Sequence, residues 1–112
     1  MDILFNNSKL EKTFNDQKRL IRTYGTIRSK MIRRRLDEFR AAETLAVIAK
    51  LPSARCHEYS GEKVGMLAVD LDHPYRLIFQ PADDPIPLKE DGGLDWSKVK
   101  TIMILEVKDP HR

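Results

Sequence analysis

The sequence is poor in the residues that build disulfide scaffolds and metal sites. Among its 112 residues it has one cysteine, Cys56, so no internal disulfide and no cysteine-rich zinc site can form. Its three histidines, His57, His73 and His111, lie too far apart to make a local pair of metal ligands. We therefore predict no metal and no other cofactor, and the sparse use of cysteine fits a reducing cytoplasm.

Long apolar runs and nucleotide-binding motifs are also missing. The longest uncharged apolar stretch is far shorter than the roughly 20 residues of a transmembrane helix. Residues 1–7 lack the basic region and apolar stretch of a secretory signal, so the sequence predicts a cytoplasmic protein. It has no Gly-rich phosphate loop, dinucleotide fingerprint or nucleophile elbow.

The composition is that of a globular domain with an uneven charge. Apolar residues make up 41% and charged residues 33%, which predicts one domain over residues 1–112 with one core. Residues 1–50 hold 12 basic and 6 acidic residues, a net of +6, whereas residues 51–112 hold 8 and 11, a net of −3. This asymmetry points weakly to a polyanion or an acidic partner. A solvated helix face would give the same pattern.

The first half of the sequence has the patterns of two helices. Asn7 or Ser8 can cap a helix, Glu11 lies three residues past Ser8 as a capping box requires, and apolar residues then recur at helical spacing until Tyr24-Gly25. Thr26 can cap a second helix, whose apolar stripe runs from Ile32 towards Pro52. We predict a helical hairpin.

The second half has the patterns of strands. Residues 2–5 predict an edge strand, 64–69 and 75–79 a hairpin, and 101–107 a central strand buried on both faces. Residues 53–60 read as a polar turn, and 81–98 as a long loop in which Trp96 docks on the body. The fold class is therefore α+β, an N-terminal helical hairpin on one face of a small, mainly antiparallel twisted β-sheet.

Four side chains suit the cleavage of RNA, namely His57, Lys63, Arg76 and His111. That reaction uses the ribose 2′-hydroxyl as nucleophile and needs a base, an acid and a cation for the charge on phosphorus. Histidine can serve as acid or base near neutral pH, and arginine binds phosphate oxygens in a fork. Each residue also has a plainer explanation. Arg76 can pair with Asp70 or Asp72, and His111 can belong to a frayed tail.

Three stretches, in the same order along the chain, resemble the HigB-like toxins of the RelE/ParE superfamily of bacterial toxin–antitoxin systems. The first is residues 57–69, where a histidine and two spaced glycines with a lysine between them precede a strand. The second is His73-Pro74-Tyr75-Arg76-Leu77-Ile78-Phe79, and the third is the strand end Glu106-Val107-Lys108-Asp109-Pro110-His111.

This resemblance implies the predicted fold and a toxin that stops translation by metal-independent cleavage of mRNA on the ribosome. It also implies a helix-turn-helix antitoxin of the HigA type, with the toxin alone monomeric. Arg76 would stabilise the scissile phosphate, His111 would be general acid or base, and Asp109 would orient its neighbours. His57 and Lys63 would line the RNA path or share the charge.

The sequence departs from the family at three positions. Pro110 stands where the family has a tyrosine, Ser60 where many members have a basic residue, and Met66 where an aromatic is usual. Tyr59 or Tyr75 can supply the missing ring. Two alternatives remain open, a ParE-like inhibitor of DNA gyrase and an inactive relative that binds only antitoxin or RNA.

The second predicted helix is strongly basic. Arg33, Arg34 and Arg35 are consecutive, so at about 100° per residue they fan around the helix. We expect a basic face that contacts ribosomal RNA or an acidic antitoxin segment, or serves only solubility. Its residues are Arg28, Lys30, Arg33, Arg34, Arg35 and Arg40.

Overall fold

A computed structural model describes residues 1–59 and 65–109 of the chain. Its strands are β1 (Asp2–Phe5), β2 (His57–Glu58), β3 (Leu67–Asp70), β4 (Arg76–Pro81) and β5 (Thr101–Lys108). Its helices are α1 (Ser8–Phe14), α2 (Gln17–Ala41) and α3 (Leu45–Ala49), with one 3₁₀ turn over Trp96–Lys98. The strand order is β1-β5-β4-β3-β2, with β1 parallel to β5 and the other pairs antiparallel. The predicted α+β class and the mainly antiparallel sheet are confirmed.

Capping residues set the helix boundaries, and the cap of α1 is one of the two candidates that the sequence predicted. Asn7 caps α1 by accepting a hydrogen bond from the Leu10 N–H. Asp16 caps α2 in the same way, accepting from the N–H groups of Lys18 and Arg19, so the predicted first helix is divided before it reaches Tyr24. Gly25 has the expected positive φ, at 82°, and its non-helical backbone separates two helical stretches that meet at a kink within the span of α2, so the predicted helix end at Tyr24-Gly25 is confirmed.

The predicted second helix is also divided. Ala42 leaves the helical conformation, and α3 begins after Thr44. The break lets Ala42 and Leu45 both enter the core, because the chain changes direction between them.

The core lies between the helices and one face of the sheet. Phe39 of α2 meets Phe79 of β4 edge to face, with ring centroids 5.0 Å apart. Alternate strand residues complete this layer, and they are Leu67, Val69, Leu77, Phe79, Ile102 and Ile104. Trp96 packs against the same cluster, so its predicted docking is confirmed.

The prediction that β5 is buried on both faces is wrong. It is an interior strand, between β1 and β4, and Ile102 and Ile104 are fully buried on the core side. Thr101 and Met103 on the other side are only partly buried. Continuous hydrophobicity therefore marks an interior strand here, without a second covering layer.

The face of the sheet turned away from this core is called the open face below. It carries the strand residues that alternate with the core residues, including Asp70 and Arg76 at one end. Ala68 and Ile78 form a buried apolar floor at its centre. A short strand that the sequence did not predict, β2, borders this face by pairing His57 and Glu58 with β3.

Within residues 1–59 and 65–109, no helix is both long and apolar enough to cross a membrane.

Candidate functional site

The strand register brings two of the predicted site residues to the open face. His57 pairs with Ala68, which pairs with Ile78, so these three side chains share a face. Arg76 lies two residues from Ile78 on β4, and therefore points to the same side. Strand spacing and rise place the Cα atoms of His57 and Arg76 roughly 12 Å apart. One substrate of the size of a dinucleotide spans that separation.

An ion cluster surrounds Arg76. Asp70 is its register partner, with Arg76 Nε 3.8 Å from Asp70 Oδ1. The same carboxylate accepts a two-point contact from Arg55, with Nε–Oδ2 at 2.7 Å and Nη2–Oδ1 at 3.0 Å. The Arg55 contact is a true fork, whereas the Arg76 distance is too long for a hydrogen bond. The pairing of Arg76 with Asp70, one of the plain explanations above, is thus present but weak.

The Arg55 guanidinium is also affected electrostatically by this contact. Its hydrogen bond with Asp70, followed by the direct charge attraction, raises the pKa of Arg55 above its ordinary value. Arg55 therefore remains a cation at any pH at which the protein is folded.

Asp70 is held from the core side by a third arginine. Arg35 is 2% exposed, and its Nε donates to the Asp70 carbonyl at 2.7 Å. Its other donors reach the Ser53 carbonyl at 2.8 Å and Glu38 at 2.9 Å. The Asp70 N–H donates to the Ala54 carbonyl at 2.8 Å. Backbone and side chain of Asp70 are therefore fixed together.

The burial of Arg35 corrects one prediction about the basic helix. A guanidinium with three internal acceptors and 2% exposure cannot contact RNA without unfolding its surroundings. Arg35 therefore does not belong to the exposed basic face.

Arg28 is engaged as well, at the turn that joins β3 and β4. It donates to both carboxylate oxygens of Asp72, at 3.2 and 3.1 Å, and its guanidinium carbon lies 3.2 Å from the centre of the Tyr75 ring. These contacts fix the turn, and they hold Tyr75 by a cation–π interaction. Arg28 thus serves the hairpin that presents Arg76.

The remaining basic residues of α2 do lie at the surface. Lys30, Arg33, Arg34 and Arg40 are exposed. Arg34 and Arg40 lie 3.7 and 3.5 Å from acidic neighbours on the same helix, Glu38 and Asp37. Since α2 packs on the core side of the sheet, this basic face and the open face lie on opposite sides of the two-layer fold.

His57 is fixed in one tautomer by its surroundings. Its Nδ1 lies 2.6 Å from the Arg55 carbonyl oxygen. A carbonyl can only accept, so Nδ1 carries the hydrogen and the lone pair of the neutral ring is on Nε2. Nε2 is therefore the nitrogen that can take a proton from a substrate.

The other predicted site residues have different outcomes. Asp109 follows Lys108 at the end of β5, and Lys108 is the register partner of Arg76, so Asp109 lies at the correct end of the sheet. Lys63 and His111 fall outside the described residues. Of the two candidate aromatic substitutes, Tyr59 lies under Lys108, with Nζ 5.8 Å from the ring centre, and Tyr75 lies under Arg28.

A shallow cleft adjoins the ion cluster. Its volume is about 40 Å³, enough for a water molecule or a small ion but not for a nucleotide. Arg55, Asp70, His73, Tyr75 and Arg76 contribute to its lining. The cleft is therefore a place for one polar group of a larger ligand that lies across the open face.

Sequence reasoning missed Arg55 and Lys108. Arg55 lies in a segment that reads as a polar turn, and its φ of 44° is not that of an extended strand. Strand alternation therefore could not have placed it beside His57. Lys108 was missed because its position beside Arg76 follows only from the register of β4 and β5.

The intervening residue, Cys56, faces the core. It packs partly buried against the hydrophobic cluster, and burial raises the pKa of its thiol to about 12. The thiolate is the nucleophilic form, so Cys56 is unreactive at neutral pH.

In the part of the chain that the structure describes, no group of three or more His, Cys, Asp or Glu side chains is arranged to hold a metal ion. The groups available on the open face are therefore guanidinium, ammonium, imidazole and carboxylate. Such a set binds phosphate and moves protons.

Comparison with protein-family models, with curated proteins and with solved structures finds no match for this chain.

Proposed function

We propose that the chain is the toxin of a type II toxin–antitoxin pair, of the HigB-like branch of the RelE/ParE superfamily, and acts as a ribosome-dependent mRNA endonuclease. The observation that carries the proposal is the open face, on which Arg76 and His57 lie about two strands apart over a buried apolar floor. Cations, an imidazole with a defined basic nitrogen and a carboxylate lie at the edges of this face.

The element order supports the family assignment. The chain runs from an edge strand through the helices to an antiparallel hairpin and a final strand. The first strand lies parallel to the last. This agrees with the two-layer fold that the resemblance implies. The described strand residues of the three stretches that carry the resemblance belong to β2, β3, β4 and β5, which share the open face.

The chemistry needs no group beyond the chain and the RNA. His57 Nε2 accepts the proton of the ribose 2′-hydroxyl, whose oxygen attacks the adjacent phosphorus. The bond from phosphorus to the 5′-oxygen breaks, which leaves a 2′,3′-cyclic phosphate on one fragment and a 5′-hydroxyl on the other. Arg76 stabilises the charge that develops on the phosphoryl oxygens. By the resemblance, His111 returns a proton to the 5′-oxygen.

The first test is a translation pulse-label in bacteria after induction of the protein without a partner. We expect a fast fall in protein synthesis while DNA synthesis continues, and its loss in Arg76→Ala and His111→Ala. Arg19→Ala is the matched control, because Arg19 is also an arginine near an aspartate, 3.7 Å from Asp16, but lies at the start of α2. It should remain toxic.

The second test separates the mechanism from the phenotype. Purified protein is added to a reconstituted translation reaction, and mRNA ends are mapped by primer extension. Arg76→Ala should reduce cleavage by about 10²–10³-fold, as expected for the loss of one group that stabilises transition-state charge. Thermal unfolding should be unchanged, because Arg76 makes only a weak, partly exposed ion pair.

Two other results would replace the proposal. An early fall in DNA synthesis, with intact mRNA, would identify the protein as a gyrase inhibitor of the ParE type. Normal growth on induction, together with no cleavage in vitro, would identify an inactive relative that binds only antitoxin or RNA.

A further inference from the structure

We propose that Arg55 is a further RNA-binding residue, which together with Arg76 holds the scissile phosphate, and that Asp70 is the positioning residue that presents the Arg55 guanidinium group. This inference deepens the proposed action on RNA and rests on it. The three groups form a cluster below called the Asp70 cluster, made of Arg55, Asp70 and Arg76.

The charge of the Asp70 cluster favours an anion. One carboxylate faces two guanidinium groups, so a net positive charge remains. Arg76 is 3.8 Å from the carboxylate and forms no hydrogen bond with it. Its fork is therefore available to a phosphate oxygen.

Arg55 also keeps donors for a ligand. Its contact with Asp70 uses one N–H on Nε and one on Nη2, which are two of the five N–H donors of a guanidinium group. The remaining N–H groups have no acceptor among the described residues. Its side chain is 54% exposed and lines the cleft beside Arg76, so a phosphate can reach both arginines.

The cluster is rigid because the core holds its backbone. Arg35 binds the carbonyls of both Ser53 and Asp70, and the Ala54 carbonyl accepts from the Asp70 N–H. Arg55 itself has a φ of 44°, a conformation that residues with a side chain seldom adopt. Such backbone conformations persist where the surroundings impose them, and they concentrate at binding sites.

Arg55 is also coupled to the imidazole that acts as base in the proposed reaction. Its carbonyl oxygen accepts from His57 Nδ1, with the two atoms 2.6 Å apart. The segment that presents the Arg55 guanidinium therefore also fixes the orientation of the His57 ring. A scissile phosphate bound at the Asp70 cluster would place the adjacent ribose towards His57.

Binding is tested with a fluorescein-labelled RNA oligonucleotide whose riboses are 2′-O-methylated, so that it cannot be cleaved. Dissociation constants are measured by fluorescence anisotropy over a series of salt concentrations. Arg55→Gln should weaken binding about tenfold and reduce the slope of log K against log salt by about 0.7, the value for one phosphate contact on a single strand. Arg19→Gln, an exposed arginine that also pairs with an aspartate, should match the wild type.

The positioning role of Asp70 has its own readout. Asp70→Asn retains both cations, so it should retain the salt slope and bind the oligonucleotide at least as tightly as the wild type. The Arg55 fork would no longer be held in place, and the rate of mRNA cleavage in the reconstituted translation reaction should fall about tenfold. An unchanged cleavage rate in Asp70→Asn would reject the positioning role.

Failure of this inference is distinguishable from failure of the proposed function. Absence of RNA binding by the wild type, or an Arg55→Gln variant equal to the wild type in affinity and salt slope, would reject the phosphate contact even if mRNA cleavage is observed. Arg55-dependent binding without any cleavage would retain the contact and reject the nuclease. If Arg55→Gln fails to fold, Arg55→Lys, which keeps the charge but loses the fork, should show an intermediate affinity.

Discussion

Three arginines meet Asp70, and they approach it from opposite sides of the sheet. On the core side, Arg35 is buried and donates to the Asp70 carbonyl, the Ser53 carbonyl and Glu38. On the open side, Arg55 and Arg76 contact the Asp70 carboxylate and remain partly exposed. Residue type and local sequence do not distinguish these roles.

The difference teaches that acceptors decide what an arginine does. Arg35 has internal acceptors on every nitrogen, so it stabilises the fold and has nothing left to offer a ligand. Arg76 has one distant acceptor and an exposed fork, so its contribution to stability is small and its capacity to bind an anion is large. The same contrast extends to the two faces of the sheet, one packed and one open.

The largest expected effect concerns this contrast between the faces. Phe79→Ala on the core side should lower the free energy of unfolding by about 4 kcal/mol, because it leaves a cavity beside Phe39. Met103→Ala on the open side, where the side chain is only partly buried, should cost about 1 kcal/mol. Urea unfolding measures both. Equal losses would mean that the open face is packed as tightly as the core face.

The next effect compares the arginines themselves. Arg35→Met should destabilise the protein by about 3 kcal/mol, since it removes a buried guanidinium and leaves two partly buried carbonyls and Glu38 without their donor. Arg55→Met should change stability by less than about 0.5 kcal/mol, because its ion pair is exposed. Both are measured by urea unfolding. A stable Arg35→Met variant would contradict the structural role assigned to Arg35.

A smaller effect is expected at the kink in α2. Gly25 has a φ of +82°, and a methyl group added there would meet nothing within 4 Å. Gly25→Ala should therefore cost about 2 kcal/mol from backbone strain alone. The kink precedes Arg28, which holds the β3–β4 turn, so the variant also tests whether the helix layer shapes the open face. Arg22→Ala, at an exposed position of the same helix, should cost less than about 0.5 kcal/mol.

The smallest effect concerns Cys56, which packs against the core although its neighbour His57 lies on the open face. Burial raises the pKa of Cys56 to about 12, whereas the pKa of a thiol in an unfolded chain is about 8.5. Between these values the unfolded chain loses a proton that the folded chain keeps, so stability should fall as pH rises. Cys56→Ala should lose less stability than the wild type between pH 8.5 and about 10.

The control for this pH effect is within the protein. Burial also raises the pKa of Tyr24, and that contribution has the same sign and remains in Cys56→Ala. The difference between the two proteins at each pH, measured by urea unfolding, therefore isolates Cys56. Identical pH profiles would mean that the thiol is accessible to water in the folded state.

Most of the elements could be predicted from the sequence, for local reasons. Short continuous apolar runs mark β3, β4 and β5, and the positive φ at Gly25 follows from its lack of a side chain. The errors occurred where one polar residue outweighed a periodic pattern. Asp16 caps a new helix within an apolar stripe, and the short strand β2 forms only because β3 is available to pair with it.

The candidate site was predictable only in part. Arg76 and His57 were identified from residue chemistry and family resemblance, and the register places both on the open face. Arg35 was assigned to the wrong surface, since three consecutive arginines do not reveal which one faces the core. Arg55 was missed because the shape of its segment depends on contacts with Arg35 and Asp70.

The sequence by itself determined the α+β class, the hydrophobic stripe of each helix, the strands and the concentration of positive charge in the first half. These features depend on residues close together in the chain. Only the tertiary structure decided which cations are structural and which are presented to a ligand. Asp70, Arg35 and Arg55 are brought together from three separate segments, and burial and hydrogen bonding between such segments follow from the packing of the whole chain.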